Sequence, residues 1–154
     1  MGIDPGLRIT GYALLSNNGS SVELLEAGTL KTIDSDTLEN RLKSIYDGIE
    51  EIISEFRPDT VSVERLYSHY RHPQTAVIMG HARGMIYLCA ARHNLPLNSY
   101  ASTRIKKSLT GNGRASKIQM QRAVKNIFKM KDLPHPPDVA DAIAAALCHI
   151  EAAK

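Results

Sequence analysis

Two β-prone runs, Thr10 to Ser16 and Val22 to Thr32, flank Asn17-Asn18-Gly19-Ser20, and this arrangement limits the fold more than any other feature of the chain. The tetrad is hairpin-turn chemistry, because Asn and Gly accept the positive φ that a tight turn needs, so the two runs should pair antiparallel. A strand ending near Asp4 precedes them and should be short, since only three residues come before that aspartate. Leu38, Leu42, Ile45, Ile49, Ile52, Ile53 and Phe56 then recur at helical spacing, with Asp36 or Thr37 placed to cap the helix and Arg57-Pro58 to end it. After that the order changes to a strand at Thr60 to Glu64, a long helix over Pro73 to His93, and a strand near Leu97 to Tyr100. Strand, helix, strand requires a right-handed parallel crossover. A meander joined to a parallel portion makes a five-stranded mixed sheet flanked by helices. Helices over Ser116 to Met130 and Asp138 to about Ala152 complete the chain, the last following Pro134-His135-Pro136-Pro137 directly. No repeat or linker interrupts this order, and residues 1–154 read as a single α/β domain.

With 154 residues, 43% of them apolar, the chain can build a core without disulfides. Its longest apolar stretches, Ala142 to Cys148 among them, fall well short of the ~18 residues of a spanning helix, and no basic-then-apolar leader opens it. A cytoplasmic protein with no membrane association is expected. Cys89 and Cys148 are isolated in helix-like surroundings, which fits reduced core residues and not a zinc or redox motif. The net charge of +3 conceals an asymmetry. Ala101 to Lys131 holds nine Lys and Arg and no acid, whereas the rest of the chain holds ten basic and sixteen acidic residues. A solvated surface usually mixes both signs, so a one-sign segment of this length points to a polyanionic partner.

Four carboxylates stand where a metal-dependent phosphodiester chemistry would need them. Two divalent ions about 3.5–4 Å apart need several hard oxygen ligands converging from different elements. Asp4 ends the first strand, Glu64 ends the first parallel strand, and Asp138 and Asp141, three residues apart, share one face of the last helix. Each has a plainer reading: Asp-Pro-Gly is turn chemistry, Glu64 can be a solvated strand end, and acids in a first helical turn stabilise the helix dipole. Together, however, they can meet at one end of a mixed sheet.

Basic and aromatic residues adjoin these acids. Arg65, Tyr67, His69, Tyr70, Arg71 and His72 follow Glu64 in a loop suited to gripping phosphates, with Tyr67 able either to wedge between bases or to pack internally. Lys106, Lys107, Arg114 and Lys117 surround Thr110-Gly111-Asn112-Gly113, just before a helix that Ser116 can cap. The glycines permit close backbone approach and the helix start favours an anion, so this segment reads as a phosphate-binding surface. It is not a nucleotide P-loop, because no Gly-Lys-Ser/Thr closes a Gly-x-x-x-x-Gly run.

The run from Gly2 to Tyr12, GIDPGLRITGY, resembles the opening motif of the RuvC-type Holliday-junction resolvases. Val63-Glu64-Arg65-Leu66-Tyr67 resembles their second acidic strand, Gly80-His81-Ala82-Arg83-Gly84 the start of their dimerisation helix, and Asp138-Val139-Ala140-Asp141-Ala142-Ile143-Ala144 their closing motif. The order and spacing run across essentially the whole chain. His72 to Val77 departs from the usual Asn-x-x-Ser-Ala-Leu of these proteins. The resemblance implies a ribonuclease H-like fold and a homodimer acting on branched, four-way DNA junctions. It also implies two Mg²⁺ ions, with Mn²⁺ able to substitute, held by Asp4, Glu64, Asp141 and Asp138. Tyr67, Lys106 and Lys117 match the family's DNA-contacting positions, Arg65, Lys107 and Arg114 of the same basic segments are expected to contact DNA beside them, and a branch-migration complex of RuvA and RuvB proteins would be a partner. Two other readings remain open on the sequence: a noncatalytic branched-DNA-binding module, and another ribonuclease H-like nuclease acting on RNA–DNA hybrids or flaps. An actin-like or sugar kinase is not expected, because such enzymes need two domains and a second phosphate loop that this length cannot house.

Overall fold

The structure is a computed structural model, and it describes residues 1–66 and 73–153. Its elements in chain order are β1 (Gly2–Asp4), β2 (Ile9–Asn17), β3 (Val22–Lys31), α1 (Leu38–Phe56), β4 (Val61–Glu64), α2 (Pro73–Arg92), β5 (Leu97–Tyr100), α3 (Ser102–Thr110), α4 (Lys117–Ile127) and α5 (Pro137–Ala152). The strands form one sheet in the order β3-β2-β1-β4-β5. β1, β2 and β3 are antiparallel to their neighbours in the meander, and β1, β4 and β5 run parallel, as the sequence leads one to expect. The hairpin turn is fixed by its own side chains. Asn18 Oδ1 accepts from the backbone N–H groups of Ser20 and Ser21 at 3.1 and 2.8 Å, and Gly19 takes φ 86°.

Helices cover both faces of the sheet. Ile3, Val61 and Val63 point to one face, where they join Ile45, Ile49, Ile52 and Ile53 of α1 and Ala82, Ile86 and Cys89 of α2 in one core. Strand alternation sends Gly2, Ser62, Asp4 and Glu64 to the other face, which α5 covers. α3 and α4 then pack on α5, burying Ile105 and Met120 against Ala144, Ala145 and Cys148.

Three local expectations change. Ser102–Thr110, read from sequence only as part of a basic segment, is the helix α3, ended by Gly111 in the left-handed conformation at φ 74°. Thr37 does precede α1, but its side chain makes no capping hydrogen bond. α4 stops at Ile127 and not at Met130, because Lys129 takes φ 51°. Ser116, by contrast, caps α4 as expected, with Gln119 completing a capping box. Among the described residues, no helix is long and apolar enough to cross a membrane.

Candidate active site

The site lies where β1 and β4 end side by side. Their parallel register pairs Gly2 with Ser62 and Ile3 with Val63, so the next residues, Asp4 and Glu64, leave the two strands together on the α5 side. α5 comes down onto the sheet because β1 and β2 present almost no side chain to it. A Cβ on Gly2 would stand 2.2 Å from the Ala142 carbonyl oxygen, and one on Gly11 2.2 Å from that of Asp138. Gly11 is also the cross-strand partner of Asp4. This missing pair of side chains lets the first turn of α5 rest beside Asp4 and brings Asp138 and Asp141 to it. The approach is secured from both sides, by Ser62 Oγ donating to the Ala145 carbonyl at 3.0 Å and by Gln121 Nε2 donating to the Pro134 carbonyl at 2.8 Å.

The loop after Asp4 is tied down as firmly. Thr10, fully buried, donates to the Gly6 carbonyl at 2.7 Å and accepts from the Gly6 N–H at 3.3 Å. The Leu7 carbonyl accepts from Thr32 Oγ1 at 2.6 Å and from the Arg41 guanidinium at 3.3 Å. At the end of β4 the Arg83 guanidinium donates to the Glu64 carbonyl and, at 2.7 Å, to the Tyr87 hydroxyl, which ties α2 to the strand that carries Glu64.

Asp4, Glu64, Asp138 and Asp141 thus line one open cleft of about 900 Å³, with Lys106 of α3 and Lys117 of α4 in its wall. The electrostatics show how near to one another the acids are. Burial first, then the charges of Asp141, Glu64 and Asp138, push the Asp4 carboxyl up to about 8, against a downward pull from Lys117. Asp141 is raised as well, mainly by burial, with Lys117 and Lys106 opposing the effect of Glu64 and Asp138. Carboxylates gathered at such a cost in self-repulsion are relieved by a cation. Among the described residues no three acidic, His or Cys side chains close into a ready-made cage around an ion. An open, all-oxygen cleft is instead the form suited to Mg²⁺, which keeps several waters and binds through a few carboxylates together with substrate phosphates. The donor set therefore fits a hard divalent ion.

Of the residues expected to contact DNA, Lys106 and Lys117 stand in this cleft, and Arg65 lines a smaller adjoining hollow with Asp4, Glu64 and Arg83. Lys107 and Arg114 are exposed but lie away from the described lining of the cleft. Tyr67, like His69 to His72, lies outside the described residues. Two cations escaped sequence reasoning: Arg8 and Lys31 line the cleft on the side of β1 and β3. Arg8 was visible inside the opening motif, four residues beyond Asp4. Lys31 reaches the site only because β3 pairs it with Ile9.

Residues 1–149 match the family model described as crossover junction endodeoxyribonuclease RuvC. A protein of that name from Rhodopirellula baltica is 49% identical over 148 residues, covering 96% of this chain and 83% of the relative. Another from Natranaerobius thermophilus is 41% identical, covering 99% and 94%. Among solved structures, Thermus thermophilus RuvC in complex with Holliday junction substrate superposes with a TM-score of 0.91 at 31% identity, covering 99% of this chain and 92% of that one.

Proposed function

The chain belongs to the RuvC family of crossover junction endodeoxyribonucleases, enzymes of the hydrolase class, and from that premise we propose that it resolves four-way DNA junctions by paired, symmetric incisions. The observation that carries this reading is the convergence of Asp4, Glu64, Asp138 and Asp141 on one cleft with Lys106 and Lys117 in its wall. Acids at the floor suit metal-assisted hydrolysis, and cations beside them suit a phosphodiester backbone. We read residues 1–154 as one nuclease domain.

In this reading Asp4, Glu64, Asp138 and Asp141 hold two Mg²⁺ or Mn²⁺ ions. When bound, such ions supply a nucleophile at neutral pH and stabilise charge on the departing 3′ oxygen, leaving 5′-phosphates. The chain's own residues do the rest. β1 and β4 fix the directions of Asp4 and Glu64, α5 delivers the acidic pair, and Lys106 and Lys117 hold the strand so that one phosphate lies over the acids. Arg65, Lys107 and Arg114 extend the grip along the DNA, and Tyr67 has the chemistry to stack on a base at the branch point.

Paired incision needs two sites related by a two-fold axis. α2 supplies a surface for that. Its Val77 and Leu88 are 58% and 48% exposed, and among the described residues nothing lies within 4 Å of a Cβ built on Gly80 or Gly84. Ala82, in contrast, is buried in the protomer's own core, so the small residues of this helix divide between inside and outside. The cellular setting we propose is cytoplasmic recombination and DNA repair, alongside the branch-migration proteins RuvA and RuvB. A panel of four-way junction, RNA–DNA hybrid and flap substrates with Mg²⁺ tests the reading. Junction cutting at symmetric positions is expected, and a preference for hybrid or flap would overturn it.

A further inference from the structure

We propose that Arg8 forms a second phosphate-binding wall of the cleft, held in reserve by an ion pair with Asp34 that an entering DNA strand displaces. The inference rests on the reading of the cleft as a site for a DNA strand. A strand whose scissile phosphate sits over the acids carries further phosphates on both sides, one per about 3.4 Å of rise, so both rims of the cleft must meet negative charge. The rim formed by α3 and α4 meets it with Lys106 and Lys117. The opposite rim offers Arg8 and Lys31, with Asp34 in the same lining.

The structure separates the backbone of this rim from its charge. Residues 6 to 8 are fixed by Thr10, by Thr32 and by Arg41, and the Thr32 N–H donates to the Arg8 carbonyl at 3.1 Å. Arg41, only 13% exposed, uses its guanidinium on the Thr32 hydroxyl and the Leu7 carbonyl and so holds the loop, and it also donates to Asp34 Oδ1 at 3.3 Å, which keeps that carboxylate beside Arg8. The Arg8 side chain is 77% exposed and spans from this rigid base to Asp34, itself 52% exposed. An ion pair so exposed is worth about 0–1 kcal/mol, whereas a guanidinium meets a phosphate with two parallel hydrogen bonds. Exchange of one anion for the other is therefore favourable, and Asp34 acts as a competitor that lowers affinity for any polyanion.

The test is binding of the full-length protein to a synthetic four-way junction in EDTA, over a series of KCl concentrations. Arg8→Ala should weaken binding about fivefold and reduce the salt slope by about one. Asp34→Asn should tighten binding about threefold, and that gain should vanish in the Arg8→Ala, Asp34→Asn double variant. Lys43 and Asp47 on α1 provide the control, being an ion pair 73% and 52% exposed. Lys43→Ala and Asp47→Asn make the same changes of charge and should leave the slope as it was. An Arg8→Ala protein with unchanged affinity and slope would overturn the proposal while leaving the resolvase reading intact. So would an Asp34→Asn gain that persists without Arg8. Failure of the unsubstituted protein to bind the junction would overturn both.

Discussion

α5 and α2 lie on opposite faces of the same sheet, and both are rich in small residues, yet they end in different circumstances. α5 is enclosed: eight residues from Val139 to Cys148 are buried, beneath by β1, β2 and β4 and above by α3 and α4. α2 is covered on one side only. Ala82, Ile86, Cys89 and Ala90 enter the core while Val77, Ile78, Tyr87 and Leu88 stay exposed. The same residue type shows the contrast most clearly, since Gly2 and Gly11 have backbone within 2.2 Å of where a side chain would begin, while Gly80 and Gly84 face open space among the described residues. Small residues under α5 set the position of the acids; small residues on α2 leave an open face, where the proposed second protomer would pack.

The comparison breaks most visibly at Gly11. Gly11→Ala drives a methyl into the Asp138 carbonyl, so the start of α5 must lift from the sheet. A loss of about 3 kcal/mol is expected, read as a melting point lower by about 10 °C, together with loss of cutting. An unshifted melting curve would mean that α5 is not held as closely as described.

Asp4→Asn acts at the same contact in the opposite direction. Folding lifts the Asp4 carboxyl from its ordinary 3.8 to about 8, so the folded protein binds more protons than the unfolded chain between those values. Stability therefore falls as pH rises through that window, and the cost of the charged form is absent below about pH 4 and complete above about pH 8. In EDTA at pH 8 the variant should melt about 5 °C higher than the parent, with the difference shrinking toward pH 4, and it should not cut. Equal melting at pH 8 would show that neither burial nor the neighbouring acids burden the Asp4 charge in the folded state.

On α2 the effects are smaller and move to the assembly. Leu88→Glu should turn a dimer into a monomer in sedimentation, with the monomer's own stability changed by less than about 0.5 kcal/mol. A dimer that survives would place the interface elsewhere. Smallest is Gly84→Ala in that monomeric background. With no neighbour to strike, the new methyl removes the backbone-entropy cost of a helical glycine and should raise the melting point by about 2 °C.

What was legible in the sequence follows the same division. Turn chemistry at Asn17 to Ser20 and the order of strand, helix and strand were enough to give a mixed sheet, an antiparallel meander joined to a parallel portion, because each rests on local residue types; that β1 stands between β2 and β4 depends on long-range pairing. The four acids were readable because each ends or opens an element. α3 was not, since its apolar period is only two residues long, Ile105 and Leu109, set among Lys, Arg, Ser and Thr whose hydroxyl groups at Ser108 and Thr110 bond back to their own helix. Arg8 and Lys31 escaped for a different reason. Arg8 stood inside the opening motif with no acid or second cation beside it to mark it, and Lys31 becomes part of the cleft only once β3 is paired beyond β2. Lys107 and Arg114 were grouped with Lys106 and Lys117 by proximity in sequence, and the helical turn of α3 and the loop before α4 send them elsewhere.

The central claim is that the acids of β1, β4 and α5 form one hydrolytic centre acting on junction DNA. Its most direct test is incubation of the protein and of its Asp4→Asn variant with a synthetic mobile four-way junction, with and without Mg²⁺ or Mn²⁺. Symmetric, metal-dependent nicks by the parent, and junction binding without nicks by the variant, are expected. Nicking by Asp4→Asn at the parent's rate, or parent protein that binds the junction and leaves it whole in both metals, would contradict it.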